Sequence, residues 1–245
     1  MSRHENIPRF YVSPLSAGEV SLPADEARHA LKVLRLRVGS EVEVFDGRGG
    51  WAVGEISRAG RSDVAVQVEQ VHQAEPLRTR VHVAFAVPKG KRLDWLLEKA
   101  TELAAAALQP IRFERSVAGG EELSDATRDR WWSHCIAAAK QSGLAWLPAL
   151  HDPTPLSVFL RQNTEALCLV GDITPDASSL KDVLSNRQPP PEDVILLIGP
   201  EGGFTPAEQD AIRTAGYRPV RLGATTLRIE TAAAALLAGV RTVLG

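Results

Sequence analysis

Val194-Ile195-Leu196-Leu197-Ile198-Gly199-Pro200-Glu201-Gly202-Gly203-Phe204 runs from five consecutive apolar side chains into a loop with three glycines. Its unbroken apolar run suits a strand buried on both faces, the kind found in parallel sheets covered by helices. The strand empties into a glycine-rich loop, and Thr205-Pro206-Ala207-Glu208 then reads as a helix start. Thr205 is the predicted N-cap, Pro206 takes the first helical position, and Glu208 closes a capping box. Further on, Val220-Arg221-Leu222-Gly223 opens a second loop, Ala224-Thr225-Thr226-Leu227-Arg228-Ile229-Glu230-Thr231. Two loops at the ends of two strands predict one ligand pocket, where open α/β sheets hold their ligands.

Phosphate is the first ligand to weigh for a glycine loop, and the residues argue against it. The loop lacks a Gly-Lys-Ser/Thr ending and does not match Gly-x-Gly-x-x-Gly. Glu201 at its centre repels a phosphate. A carboxylate there suits a ligand that carries positive charge and no phosphate; S-adenosylmethionine, a sulfonium bearing an adenosine, has both properties. A plain strand-to-helix turn is the alternative reading. In the second loop, Arg228 and Glu230 at a helix start fit either a salt-bridged cap or an acid/base and electrostatic pair. Their spacing leaves both open.

Outward from this stretch, strands alternate with helices, which predicts an α/β domain with a parallel sheet. Val81 to Val87 is a strand, followed by the basic loop Pro88-Lys89-Gly90-Lys91-Arg92. A helix then carries Leu93, Leu96, Leu97, Ala100, Leu103 and Ala107 on one face. Gln109 to Phe113 is the next strand and ends at Glu114-Arg115-Ser116. A long helix from Ser124 or Asp125 turns Trp132, Cys135, Ile136 and Ala139 inward. The last helix, from about Ile229, carries Ala233, Leu236, Leu237, Val240 and Leu244 on one side, and its Ala232–Ala235 run permits close packing against a second subunit.

The rhythm differs before the polar stretch Gln73-Ala74-Glu75-Pro76-Leu77-Arg78, where a linker is expected. After a short basic start with Arg3 and Arg9, one helix is predicted from Pro23 to Leu36, with Ala27, Ala30, Leu31 and Leu34 inward. Arg28, Lys32 and Arg35 fall on a neighbouring face, either as a solvated surface or as phosphate contacts. Residues 41–45, 51–56 and 64–68 alternate with a period of two, joined by glycine turns, and predict a small β-barrel.

Composition narrows the field. The 245 residues carry 28 basic and 30 acidic side chains, a net charge of -2, so any nucleic-acid surface must be local. No apolar run approaches the roughly 20 residues of a membrane span, and no signal-peptide core is evident, so a cytoplasmic protein without a membrane partner is expected. Cys135 and Cys168 lie in apolar segments and read as buried free thiols. No His, Cys and carboxylate spacing reads as a metal site.

Ile198-Gly199-Pro200-Glu201-Gly202-Gly203-Phe204 with Thr205-x-x-Glu208, then Leu222-Gly223 and Leu227-Arg228-x-Glu230-Thr231-Ala232, closely resembles one family. It is that of the 16S ribosomal RNA (uracil-N3)-methyltransferases of the SPOUT superfamily. The resemblance runs over nearly the whole chain and includes Arg9, Arg28-His29 to Leu36, Phe45-Asp46-Gly47 and Glu98-Lys99-x-x-Glu102-Leu103. Glu114-Arg115-Ser116 and Ala139-Lys140-Gln141-Ser142-Gly143 complete it. The chain departs from the family at Leu144 and Thr225, where arginines are usual, and at Ala104, where glycine is usual.

The resemblance implies a PUA-like β-barrel for RNA over residues 1–73 and a SPOUT methyltransferase domain over 74–245, its mostly parallel sheet ending in a trefoil knot. It implies S-adenosyl-L-methionine held by Leu197, Gly199, Pro200, Glu201, Gly202, Leu222, Gly223, Leu227 and Thr231. It also implies a homodimer acting on a uridine of 16S RNA in the small ribosomal subunit. Arg228 is expected to stabilise charge on the uracil oxygens, with Glu230 or Glu201 as proton acceptor or sulfonium neighbour. Arg9, Arg28, Lys32, Arg35, Lys89 and Arg92 are expected to position the RNA backbone. A SPOUT enzyme with a different RNA target, and an RNA-binding assembly factor without catalysis, remain alternatives.

Overall fold

The computed structural model describes residues 7–60, 63–116, 122–162, 165–172, 174, 176–185 and 187–245. Arg3 lies outside them. The chain folds as two compact units, Met1–Pro76 with Ala139–Leu147, and Leu77–Ala138 with Pro148–Gly245. The division at 73/74 expected from the sequence is contiguous and does not contain the return of residues 139–147 to the first unit.

In the first unit the elements are β1 (Arg9–Tyr11), β2 (Gly18–Ser21), α1 (Ala24–Arg28), β3 (Glu41–Phe45), β4 (Gly50–Ala59), β5 (Val64–Val68) and β6 (His72–Gln73). The strands follow the order β1-β3-β4-β5-β2, with β6 on β4. All pairings are antiparallel except β1 with β3. Because successive side chains point to opposite faces, Val42 and Val44, Ala52 and Ile56, and Val64, Val66 and Val68 share one core. Phe10 and Val20 from the outer strands, and Ala27 and Ala30 from the helical segment, complete it. Residues 139–147 are tied in by Lys140, whose Nζ donates to Glu26 at 2.6 Å, and by the Trp146 indole, which donates to the Ala74 carbonyl at 3.1 Å.

The single helix expected to Leu36 is not formed. α1 ends at Arg28 and passes into a π-helical turn, His29–Val33, in which the Leu34 N–H reaches the His29 carbonyl. The wider turn rotates the register, so Leu34 is 39% exposed rather than inward, and Arg28, Lys32 and Arg35 do not share a straight face. Arg35 itself sits at φ 56°.

The second unit begins with β7 (Arg80–Ala86), α2 (Lys91–Glu102), β8 (Ala107–Arg112) and α3 (Asp125–Ser142). Then come β9 (Ala149–Leu150), β10 (Thr154–Pro155), α4 (Leu156–Phe159), β11 (Leu167–Gly171), β12 (Ser178–Ser179) and α5 (Leu180–Ser185). β13 (Asp193–Ile198), α6 (Pro206–Thr214), β14 (Arg218–Arg221) and α7 (Ile229–Leu244) close the unit. The sheet has the order β10-β8-β7-β13-β11-β14-β12, with β9 on β8. Every pairing in it is parallel. β13 is central, and its Val194, Leu196, Leu197 and Ile198 are buried, as the apolar run predicts.

Two helix readings are corrected. α2 stops at Glu102, so Ala107 opens β8 instead of extending the helix. The stop is a Schellman motif: Ala104 N–H reaches the Thr101 carbonyl and Ala105 N–H the Ala100 carbonyl, with Ala104 at φ 56°. On α3 the buried residues are Trp131, Cys135, Ala138 and Ala139, whereas Trp132 and Ile136 are half-buried, one step round the helix. Cys135 and Cys168 are free and buried, and burial pushes the Cys135 thiol up to about 11. Among the described residues no helix is long and apolar enough to cross a membrane.

Candidate active site

A cleft of about 490 Å³ opens at the carboxyl ends of β13, β14 and β11. Gly199, Pro200, Glu201, Gly203 and Phe204 form one wall, and Leu222, Gly223, Thr225, Thr226 and Leu227 face them. Gly171 and Asp172 close the end of β11, while Ile229, Ala232 and Leu236 present one face of α7 at spacings of three and four. Parallel neighbours bring successive strand exits to the same edge of the sheet, and this is why loops so far apart in sequence meet.

The first loop is shaped by specific contacts. A Cβ on Gly199 would stand 2.5 Å from the Phe204 ring, so no other residue fits there without moving the ring. Gly203 adopts φ 69°, in the left-handed region that favours glycine. Thr205 caps α6 as predicted: its hydroxyl accepts from the Glu208 N–H, and its own N–H donates to Glu208 Oε2 at 2.8 Å. The other Glu208 oxygen accepts from the Glu114 N–H at 2.8 Å.

The predicted cofactor residues divide. Gly199, Pro200, Glu201, Leu222, Gly223 and Leu227 line the cleft. Leu197 is fully buried within β13, the Gly202 carbonyl accepts from Arg115, and Thr231 is exposed beside the lining face of α7. Phe204, Asp172, Ile229 and Leu236 also line the cleft, although the sequence pattern does not single them out. For Asp172 the available signal is its place just after the apolar run Leu167-Cys168-Leu169-Val170. Which strands neighbour each other is not written in the local pattern.

The catalytic candidates are placed differently from one another. The Glu201 carboxylate accepts from Arg92 at 2.9 Å. Arg228 is the N-cap residue of α7, exposed, with no ion pair or side-chain hydrogen bond among the described residues. Glu230 is 7% exposed in the first turn of α7, and its Oε2 lacks a partner among the described residues. The two are not salt-bridged to each other, so the capping alternative falls. Neither side chain belongs to the lining; Glu230 lies between Ile229 and Ala232, which do.

The chemistry of the lining fits a cation-bearing, partly apolar ligand. Among the described residues it holds two carboxylates, Asp172 and Glu201, apolar side chains on both walls, and no lysine or arginine. Phosphate has no counter-charge there.

Of the expected RNA contacts, Arg9 is corrected. Its side chain is 9% exposed and ion-paired with Glu43 at 2.8 Å. It donates to the carbonyls of Ala139 at 2.7 Å and Leu144 at 3.2 Å and lies over the Phe45 ring. A guanidinium so enclosed holds residues 139–147 to the barrel and cannot meet a phosphate. Arg92 is also engaged, on Glu201. Arg28, Lys32, Arg35 and Lys89 are exposed, Arg28 with a surface pairing to Asp25. Of the two positions departing from family arginines, Thr225 lines the cleft and Leu144 accepts from Arg9.

Comparison with known proteins bears on this site. Residues 75–241 match the family described as an RNA methyltransferase domain, and residues 22–69 match an RNA methyltransferase PUA domain. Ribosomal RNA small subunit methyltransferase E of Mycobacterium bovis is 34% identical over 239 residues, covering 94% of this chain and 90% of the relative. The protein of the same name from Synechocystis is 31% identical, over 96% of this chain and 78% of its own length. The crystal structure of a ribosomal RNA small subunit methyltransferase E from Neisseria gonorrhoeae, bound to S-adenosyl methionine, superposes with a TM-score of 0.86. It is 28% identical and covers 98% of this chain and 99% of its own.

Proposed function

Because the chain belongs to the RNA methyltransferase family, we infer that it transfers a methyl group from S-adenosyl-L-methionine to N3 of a uridine in 16S ribosomal RNA. The observation that carries this reading is the cleft between the two glycine loops, acidic and apolar and without a cation among the described residues of its lining. Gly199, Pro200, Glu201, Leu222, Gly223 and Leu227 would hold the cofactor, joined by Ile229, Leu236 and Asp172. When bound, it supplies an electrophilic methyl group on a sulfonium.

The chain's own residues do the rest by orientation and charge. Uracil N3 loses its imide proton as the nitrogen–methyl bond forms and the sulfur–methyl bond breaks. Holding the base in line with the methyl group is worth several orders of magnitude in rate, and a stacked or paired uridine must first be turned out. Arg228, exposed at the start of α7, stabilises negative charge gathering on the uracil oxygens. Glu230, with a buried oxygen that has no partner among the described residues, beside cleft-lining Ile229, is the proton acceptor. Arg28, Lys32, Arg35 and Lys89 position the RNA backbone, with residues 1–73 as the RNA-binding barrel and 74–245 as the methyltransferase domain.

The same reading includes the trefoil knot, supported by the two loops meeting at one cleft, and a homodimer, supported by Ala234 and Ala235 remaining half-buried on α7. Sedimentation equilibrium checks the dimer: a monomer mass would remove it. It also includes action on the small subunit in the cytoplasm. The test of function is calorimetric titration with S-adenosyl-L-methionine, followed by nucleoside mass spectrometry of treated 16S RNA. Binding together with a new 3-methyluridine is expected. Absence of binding would favour an assembly factor, and a different methylated nucleoside would favour another target.

A further inference from the structure

The motif Glu114-Arg115-Ser116 has no role in the scheme above, yet its segment lies along the cofactor loop. The Phe113 ring packs 5.6 Å from that of Phe204, and the Glu114 N–H donates to Glu208 at 2.8 Å. Arg115 Nη1 donates to the Gly202 carbonyl at 3.0 Å. One residue back, Glu201 is held by Arg92 at 2.9 Å. Arg92 stands in the first turn of α2, just after β7, and Arg115 in the turn after β8. Adjacent residues at the tip of the loop are therefore fixed by two guanidiniums that arrive from the exits of two other strands.

We propose that Arg92 and Arg115 form a two-point clamp that holds the tip of the Gly199–Phe204 loop in its binding shape, with the Glu201 carboxylate as one of its two anchor points. This rests on reading the cleft as a cofactor site. Gly199, Pro200, Glu201 and Gly203 form its wall, so the position of the tip sets the width of the cleft. Within the loop the Gly203 N–H donates to the Pro200 carbonyl at 2.9 Å and the Phe204 ring packs on Gly199, but three glycines leave the tip much freedom to lose on ordering. The Glu201 side chain and the Gly202 carbonyl take their partners from outside the loop. Arg115 grips a backbone carbonyl, which fixes the plane of the Gly202–Gly203 peptide directly. Arg92 grips a side chain and fixes the direction in which Glu201 leaves the backbone. Arg92 and Glu201 are 34% and 43% exposed, and ion pairs so exposed add little to global stability. What they govern is local shape. The clamp also accounts for Arg92 being absent from the RNA-facing set. Both arginines are positioning residues, and they act on the cofactor through the loop.

The test uses the full chain and reads the loop before any cofactor is added. Amide hydrogen exchange over residues 199–204 is compared in wild type, Arg115→Ala, Arg115→Lys and Arg92→Ala, with the melting temperature as a check on folding. The alanine variants are expected to exchange about tenfold faster in this loop, the size of one broken hydrogen bond, with unchanged melting temperature and partial recovery in Arg115→Lys. Calorimetry with S-adenosylhomocysteine should show about tenfold weaker binding in step with that exchange. Loop exchange unchanged in both alanine variants overturns the clamp. Wild type that binds no S-adenosylhomocysteine overturns the cofactor reading alone, because the exchange comparison still reports on the clamp.

Discussion

Arg228 and Glu230 stand two residues apart at the start of α7 and face different surroundings, one exposed and one buried with an oxygen unbonded among the described residues. If Arg228 stabilises charge that develops only during transfer, Arg228→Ala should lower the single-turnover rate by about a hundredfold to a thousandfold. Cofactor affinity, read by calorimetry, should not change. Equal losses in both would make it a binding residue. Gly199→Ala belongs to the same scale: its Cβ would meet the Phe204 ring at 2.5 Å. Overpacking of this kind costs about 1–3 kcal/mol, and it should appear as weakened cofactor binding with α6 still formed. Away from the cleft, hydrogen bonds from Arg80 hold the Asp193 carboxyl below the ordinary range, with help from His82 and against the effect of burial. A carboxyl lowered on folding stabilises the protein above its unfolded pKa, and that contribution is lost as pH falls through the folded value. The destabilisation caused by Asp193→Asn, followed by thermal unfolding, should therefore shrink once pH drops below the aspartate range. At this scale the sequence announces residue types but not their partners. Arg9 and Lys32 look alike as basic residues near an N-terminal barrel. Only the long-range hydrogen bonds to residues 139–147 make Arg9 a buried tie.

Elements were legible where local chemistry and long-range packing agree. The β13 run is apolar on both faces and is the centre of the sheet, and the Thr205 and Glu208 capping box forms as its residues predict. The failures have physical causes. The π-helical turn at His29–Val33 keeps helical composition while changing the register, so periodicity alone mistakes it for α-helix. α2 ends in a left-handed residue that is alanine, and the usual glycine signal is missing there. That position carries a prediction: Ala104→Gly should stabilise the protein by about 1 kcal/mol, the cost of holding a Cβ in the left-handed region, as read by denaturant unfolding. The same helix end is held by Arg241 of α7, which donates to the carbonyls of Leu103, Ala104 and Thr79. Burial lowers the pKa of this guanidinium. Arg241→Ala leaves partly buried carbonyls without a donor and should cost about 2–3 kcal/mol. A cost under about 0.5 kcal/mol would mean that water replaces the guanidinium there.

At the scale of the molecule, net charge of -2 leaves RNA binding to local surfaces. Arg28, Lys32, Arg35 and Lys89 are the exposed members of the expected set. Replacing the three on the barrel with alanine should weaken RNA binding and flatten its dependence on salt, by close to one unit of slope for each phosphate no longer neutralised. An unchanged slope would make them a solvated face. Arg9→Ala should instead lower stability, because it removes an enclosed ion pair and two hydrogen bonds to carbonyls. Methyl transfer to uridine N3 can be observed in a single incubation. The purified protein, S-adenosyl-L-methionine and 16S RNA, free or in the small subunit, are combined, and the nucleosides are resolved by mass spectrometry. The expected result is 3-methyluridine that appears only with cofactor and forms about a hundredfold to a thousandfold more slowly with Arg228→Ala. A methylated nucleoside of any other kind, or cofactor binding with no methylated nucleoside on either substrate, would contradict it.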